Sequence, residues 1–144
     1  MEVIFGNTPV TRRIVTLTPL SFAFLGKMPI LPGHMLVCPR RIVGTMAELT
    51  NDELLDLLAL IALMKTALSK EFGATGFNTA WNEGGVAGQT VPHLHVHIVP
   101  RSIGDKGIAE YEPRQFLYRP GSRKCSPEKE LEAIASKLSK AHDA

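Results

Sequence analysis

Little in this sequence points to a membrane, a disulfide-stapled scaffold or a polyanion-binding surface. Its two cysteines, Cys38 and Cys125, form no C-x-x-C pair and are too few for a disulfide framework. A reducing compartment is the simpler expectation, with Cys38 in Met35-Leu36-Val37-Cys38 acting as a small apolar group in a buried strand. No unbroken apolar stretch is long enough to span a bilayer. Met1-Glu2-Val3-Ile4-Phe5-Gly6 has no charged start followed by a long apolar run, so no signal peptide is expected. The expected location is cytoplasmic. A formal charge of +2 is too small to argue for nucleic acid or membrane partners, and the basic pairs Arg12-Arg13 and Arg40-Arg41 read as solvated surface. There is no internal repeat, low-complexity tract or second domain. With 144 residues, 44 % hydrophobic and 21 % charged, residues 1–144 are expected to form one globular domain with a real core.

What the chain does have is histidine in register. His93, His95 and His97 alternate with Leu94, Val96 and Ile98. In an extended strand successive side chains point to opposite faces, so one face carries three imidazoles and the other is apolar. Five histidines scattered at random would give such a triple on the order of 0.6 % of the time, which argues against accident. A lone half-buried histidine is ordinarily a satisfied polar residue, and that default is applied to His142.

Two chemistries use such a row. His-x-His on a strand can give zinc two ligands, with the third histidine or the distant His34 completing the set. The preceding residues favour a phosphate instead. Gly84, Gly85 and Gly88 let backbone N–H groups approach an anion, and Gln89 and Thr90 add an amide and a hydroxyl. Pro92 restricts Val91 to extended geometry and leads into the strand. No cysteine or acidic ligand adjoins the row. Beside a phosphate, a neutral imidazole is a competent nucleophile, because its ordinary pKa of about 6.5 leaves much of it unprotonated. A second imidazole can donate a hydrogen bond to phosphoryl oxygens or a proton to a leaving group.

His93-Leu94-His95-Val96-His97-Ile98-Val99, preceded by Ala87-Gly88-Gln89-Thr90-Val91, resembles the signature of the histidine triad (HIT) superfamily of nucleotide hydrolases and transferases. Leu20-Ser21-Phe22-Ala23, Pro29, Pro32-Gly33-His34 and Leu36-Val37-Cys38-Pro39 are similar to stretches of its fragile histidine triad branch, the diadenosine polyphosphate hydrolases. The resemblance spans Phe5 to Arg101. It implies His95 as the nucleophile that becomes transiently nucleotidylated, His97 as the contact to phosphate and leaving group, and His34 and His93 as the pair that orients the site. Gly88, Gln89, Thr90 and Val91 match positions that hold the α-phosphate and the departing group. Phe5, Phe24 and Leu36 match the walls of an apolar slot for the base. The transferase branch has glutamine in place of the third histidine, so His97 implies water as acceptor. Gly26 stands where the fragile histidine triad branch has an asparagine, and Asn82 replaces a glutamine of that branch. Trp81-Asn82-Glu83-Gly84 is closer to the histidine triad nucleotide-binding branch, whose members hydrolyse adenosine phosphoramidates.

The remaining elements follow local signals. Ile14-Val15-Thr16-Leu17-Thr18, Ser21 to Leu25 and Met35 to Cys38 read as strands, separated by turns at Pro19 and at Pro32-Gly33. Local sequence leaves His34 equally a site residue or a surface turn residue. Thr50-Asn51-Asp52-Glu53 has the form of a capping box. Leu54, Leu57, Leu58, Ile61, Met64 or Leu63, and Leu68 then recur at helical spacing until Phe72-Gly73. Leu55 and Leu60 widen this stripe, which implies burial on more than one side, under the sheet or against a second subunit. Gly76 to Trp81 reads as the strand before the glycine loop. Residues 101–121 read as an irregular surface loop. Ser126-Pro127-Glu128 starts a last helix, expected over 126–141.

The expected fold is therefore α+β, a mainly antiparallel sheet with one long central helix and a C-terminal helix, HIT-like. The expected function is a nucleotide hydrolase that cleaves a dinucleoside polyphosphate, such as diadenosine triphosphate, at the α-phosphate through a nucleotidyl-histidine intermediate. Adenosine phosphoramidate hydrolysis and a nucleotide-responsive binding module with slow turnover are the alternatives. No protein-bound metal or other cofactor is required, and magnesium is expected only as a counterion of a polyphosphate substrate. The resemblance also implies a homodimer.

Overall fold

In the computed structural model residues 2–105 and 125–143 are described. A capping box starts the long helix α1 (Asn51–Phe72): the Thr50 hydroxyl accepts from the Glu53 N–H and the Glu53 carboxylate accepts from the Thr50 N–H. Gly73, in the left-handed conformation at φ 66°, ends it. Before α1 lie a short hairpin, β1 (Ile4–Phe5) and β2 (Thr8–Pro9), and the strands β3 (Ile14–Leu17), β4 (Ser21–Leu25) and β5 (Met35–Pro39). After it come β6 (Gly76–Ala80), β7 (Val96–Arg101) and the C-terminal helix α2 (Glu128–Asp143). The five longer strands form one antiparallel sheet in the order β3-β4-β5-β7-β6. The α+β expectation holds, and apart from the histidine strand the element bounds match the expected ones or differ from them by one or two residues.

Two differences carry structural meaning. The histidine strand begins at Val96 rather than at His93, because the Leu94 N–H donates to the Val43 carbonyl in a connecting segment instead of to a ladder partner. Arg13, expected at the surface, is buried. Its Nη1 donates to the Leu25 carbonyl at 2.8 Å, its Nε lies 3.3 Å from the Glu128 carboxylate, and its guanidinium lies over the Phe24 ring. This arginine thereby joins the start of α2 to the edge of the sheet.

The sheet has a core on each face. On one, Leu94, Val96 and Ile98 pack with Val37, Leu57, Leu60, Met64, Leu68, Leu131 and Leu138, so both helices cover that face. On the other, Phe5, Val10, Phe22, Phe24 and Cys38 form a second cluster to which the β1–β2 hairpin contributes. The apolar stripe of α1 divides accordingly. Leu57, Leu60, Ile61, Met64 and Leu68 are buried, whereas Leu54, Leu55, Leu58 and Leu63 remain exposed. No helix among the described residues is long and apolar enough to cross a membrane. Most of the expected 101–121 loop lies outside the described residues.

Candidate active site

His97 sits in the middle of the sheet, opposite Leu36 of β5 on one side and Ala80 of β6 on the other. Alternation places His95 and His97 on the face away from the helices, with ring centroids 5.1 Å apart. Leu94, Val96 and Ile98 are all in the helix-covered core, so the division of the row into a histidine face and an apolar face is observed.

The hydrogen bonds assign a proton to a stated nitrogen in each ring, since a backbone N–H can only donate and a carbonyl can only accept. His93 is fully buried. Its Nδ1 accepts from the Gly6 N–H at 3.1 Å, so its Nε2–H donates to the Pro39 carbonyl at 2.7 Å. His95 donates Nδ1–H to the His93 carbonyl at 2.8 Å, which leaves its Nε2 with a lone pair. The His34 Nδ1 accepts from the Ile30 N–H at 3.0 Å, and its Nε2 faces the His97 Nδ1 at 3.0 Å. His34 is only 3 % exposed, so it is not a surface turn residue.

Burial pushes the pKa of His95 below its ordinary value, the hydrogen bond to the His93 carbonyl opposes this, and the neighbouring His93 adds to it. Burial likewise lowers the pKa of His93 against its bond to Pro39. Both rings are therefore neutral at physiological pH, as a nitrogen nucleophile must be. The edge of the Phe5 ring packs against His95 at 5.1 Å. It fixes the ring's tilt and excludes water from one side.

The glycine loop is braced from within. Gly84 and Gly88 take φ of 91° and 96°, a region that glycine alone enters freely. Between them lies a short 3-10 turn, Gly85–Ala87. The Gln89 side-chain oxygen accepts from the Gly84 N–H at 2.8 Å, and its amide donates to the Gly44 carbonyl at 3.0 Å. In this structure Gln89 shapes the loop. Glu83 accepts from Trp81 Nε1–H at 2.9 Å and from the Met46 N–H at 3.0 Å, tying the loop to the segment before α1.

The remaining expected site residues are spread around this centre. Phe5 touches both His93 and His95, with ring centroids at 5.4 and 5.1 Å. Phe24 stands behind Phe5 at 5.1 Å and is itself buried, so it supports the wall more than it presents surface. Leu36 and Val91 pack, partly buried, against the same aromatic cluster. Asn82 lies two residues beyond Ala80, the β6 partner of His97, and Thr90 is exposed. Sequence reasoning missed Gly6, Ile30 and Pro39, which act through backbone atoms. Gly6 had one visible signal, a glycine next to an apolar strand residue. At φ 63°, a Cβ there would meet Val91 Cγ1 at 2.7 Å.

A metal fits this donor set poorly. Both nitrogens of His93 and both of His34 already face protein partners, so neither can complete a zinc site without giving up a hydrogen bond. Among the described residues no group of three or more histidine, cysteine or acidic side chains is placed to hold a metal ion.

A model of the HIT domain matches residues 7–103. The asymmetrical bis(5'-nucleosyl)-tetraphosphatase of Schizosaccharomyces pombe is 42 % identical over 104 residues, 72 % of this chain and 57 % of that protein. The bifunctional bis(5'-adenosyl)-triphosphatase/adenylylsulfatase FHIT of Arabidopsis thaliana is 44 % identical over 94 residues, 65 % of this chain and 52 % of that protein. The chain thus spans little more than half the length of these two curated relatives. Among solved structures, the diadenosine triphosphate hydrolase of Plasmodium falciparum in complex with cyclomarin A matches with a TM-score of 0.80 at 26 % identity, covering 96 % of this chain and 82 % of that one.

Proposed function

This chain belongs to the HIT family, in its fragile histidine triad branch, and from that premise we propose that it is a hydrolase of dinucleoside polyphosphates. One observation supports this reading above the others. His95 is a largely buried, neutral imidazole whose Nδ1–H is held by the His93 carbonyl, so its Nε2 lone pair is presented for attack. That arrangement is what nucleophilic catalysis at phosphorus needs.

In the proposed reaction His95 Nε2 attacks the α-phosphorus of a substrate such as diadenosine triphosphate. The bond from that phosphorus to the bridging oxygen breaks, and ADP departs with the electron pair. Water then attacks the nucleotidyl-histidine, the P–N bond breaks, and AMP leaves. His97 donates to the phosphoryl and leaving-group oxygens, while His34 and His93 orient their neighbours. Phe5 and Leu36, backed by Phe24, form the slot for the base. Gly88, Thr90, Val91 and the loop that Gln89 braces lie along the phosphates, with Asn82 at the rim. Magnesium travels with the polyphosphate as its counterion, without a cage built by the protein.

In this reading residues 1–144 act as one domain. The exposed face of α1, with Leu54, Leu55, Leu58 and Leu63, supports a homodimer. The two free thiols suit a cytoplasmic location. No nucleic acid or membrane enters the reading.

The test is nucleotide chromatography after incubation of diadenosine triphosphate with the wild type and with His95→Ala. AMP and ADP from the wild type alone are expected. AMP from neither protein would remove the substrate assignment, and equal release by both would remove His95 as nucleophile.

A further inference from the structure

Residues 40–45 form neither strand nor helix, yet much of the site is hung on the backbone between Pro39 and Met46. The Pro39 carbonyl accepts from His93 Nε2–H at 2.7 Å, the Val43 carbonyl from the Leu94 N–H at 2.7 Å, and the Gly44 carbonyl from the Gln89 side-chain amide at 3.0 Å. The Met46 N–H donates to the Glu83 carboxylate at 3.0 Å. These four bonds join one short segment to both ends of the stretch from Glu83 to Leu94, which holds the glycine loop and the start of the histidine row. A segment without a strand ladder can position such a stretch only as well as it is itself held.

Val43, Met46 and Leu49 pack on the helix-covered core, which gives the segment depth but little direction. Direction comes from Arg41. Its side chain is about half exposed, in keeping with a surface residue, but its guanidinium makes a two-armed bond to Glu53 of α1. Nε donates to Oε2 at 3.0 Å and Nη2 to Oε1 at 2.8 Å. Nη2 also donates to the Glu48 carbonyl at 2.7 Å, so Arg41 spans the connection from β5 to α1. Glu53 is buried and is fixed from its other side, where Oε1 accepts from the Thr50 N–H at 2.9 Å. The Arg41 guanidinium, and after it the Thr50 N–H, hold the Glu53 carboxyl down to about 2, so the pair is charged at neutral pH. Exposed ion pairs ordinarily contribute little, but a bidentate arginine–carboxylate contact fixes direction as well as charge.

We propose that Arg41, clamped on Glu53, is a positioning residue for the phosphate loop: through the backbone of residues 39–46 it sets where Gly88, Thr90 and Val91 stand relative to His95. The inference rests on the hydrolase reading above and adds to it a residue that touches neither substrate nor histidine. Arg41 acts at the loop and not at the base slot, whose walls Phe5 and Phe24 belong to β1 and β4. Loosening the clamp therefore weakens the grip on the phosphate of a nucleotide and leaves the grip on its nucleoside part.

Calorimetric titration with AMP and with adenosine separates this role from a general loss of stability. The readout is the ratio of the two affinities, AMP over adenosine, within each protein. Arg41→Ala and Glu53→Gln should each lower that ratio by at least about tenfold, with adenosine binding unchanged to within about twofold. Glutamine at position 53 still accepts from the Thr50 N–H, as a capping box allows, but sets an amide donor against Arg41 Nε. It breaks the clamp while keeping the helix cap, and it carries the test if Arg41→Ala does not fold. The double variant should show a ratio no lower than that of Arg41→Ala, because both changes remove one interaction. Thr50→Ala is the control: it removes the hydroxyl cap of α1, leaves the Arg41–Glu53 bond in place, and should keep the wild-type ratio. In the clamp variants kcat/KM for diadenosine triphosphate should fall with the AMP affinity, by about tenfold to 100-fold. Equal weakening of AMP and adenosine, a wild-type ratio in both clamp variants, or the same fall in Thr50→Ala would each overturn the proposal. If the wild type binds AMP and does not cleave diadenosine triphosphate, the hydrolase reading fails, and the affinity ratios still decide the role of Arg41.

Discussion

Leu94, Val96 and Ile98 leave the backbone on one side of residues 93–98, and His93, His95 and His97 leave it on the other. The two rows are held by different physics. The apolar row sits under α1 and α2 and is stabilised by burial, which is non-directional and tolerates any side chain of similar volume. Each imidazole has a bonded nitrogen whose partner fixes its proton, and turning one ring would put donor against donor. One row is specified by volume and the other by direction, so substitutions on the two sides should fail in different ways.

The largest contrast is between His95→Ala and Leu94→Ala. Removing the proposed nucleophile is expected to lower AMP release by about three orders of magnitude or more, with a stability loss of no more than the about 1–3 kcal/mol of leaving the buried His93 carbonyl unpaired. Removing the fully buried Leu94 should cost about 2–5 kcal/mol of stability, with activity per folded molecule retained. A large loss of stability in the first, or of specific activity in the second, would dissolve the distinction.

Gly6→Ala comes next and tests direction without touching a histidine. The new Cβ would lie 2.7 Å from Val91 Cγ1 at a positive φ, so the Gly6 N–H must move off His93 Nδ1. Leaving that buried nitrogen unpaired should cost about 1–3 kcal/mol and lower turnover as well. Adding Val91→Ala should recover part of both losses, and a double variant no better than the single one would argue against the steric cause.

The smallest effect is on pH dependence and belongs to the imidazole row alone. Burial lowers the folded-state pKa of His93 and His95, so the unfolded chain, titrating near pH 6.5, binds protons that the folded chain refuses. Stability is then complete above about pH 6.5 and is lost as the pH falls from there through the lowered folded values. A urea midpoint at pH 5.5 below that at pH 7.5 is expected, with the acid limb of kcat/KM also below pH 6.5. A midpoint unchanged over that range would show that the rings are not held neutral.

The two rows were also unequally legible in the sequence. Alternation alone placed Leu94, Val96 and Ile98 in the core and the histidines opposite, and Thr50 with Glu53 marked the start of α1 because a capping box is a local device. The bonds that fix each tautomer could not be read, because their partners are backbone atoms of Gly6, Ile30 and Pro39 brought close by the fold. The glycine lies 87 positions from His93 in the chain. Periodicity likewise showed that the α1 stripe was wide. It could not say that Leu57 and Leu60 meet the sheet while Leu55 and Leu58 face outward, since a repeat records spacing and not the neighbour. Arg13 was misplaced for the same reason, because its burial depends on the Leu25 carbonyl and on Glu128 at the far end of the sequence.

The two cysteines differ as sharply as the two rows. Cys38 is buried in the aromatic cluster, where desolvation pushes its thiol well above the ordinary range, whereas Cys125 is exposed at the entrance to α2. Alkylating reagents should therefore distinguish them without mutagenesis, modifying Cys125 and sparing Cys38 in the native protein. A fluorophore attached there would stand one residue from Ser126, whose N–H holds the Lys27 carbonyl. The unaltered chain thus offers its own attachment point for an optical reporter of the segment that carries Ile30 and His34.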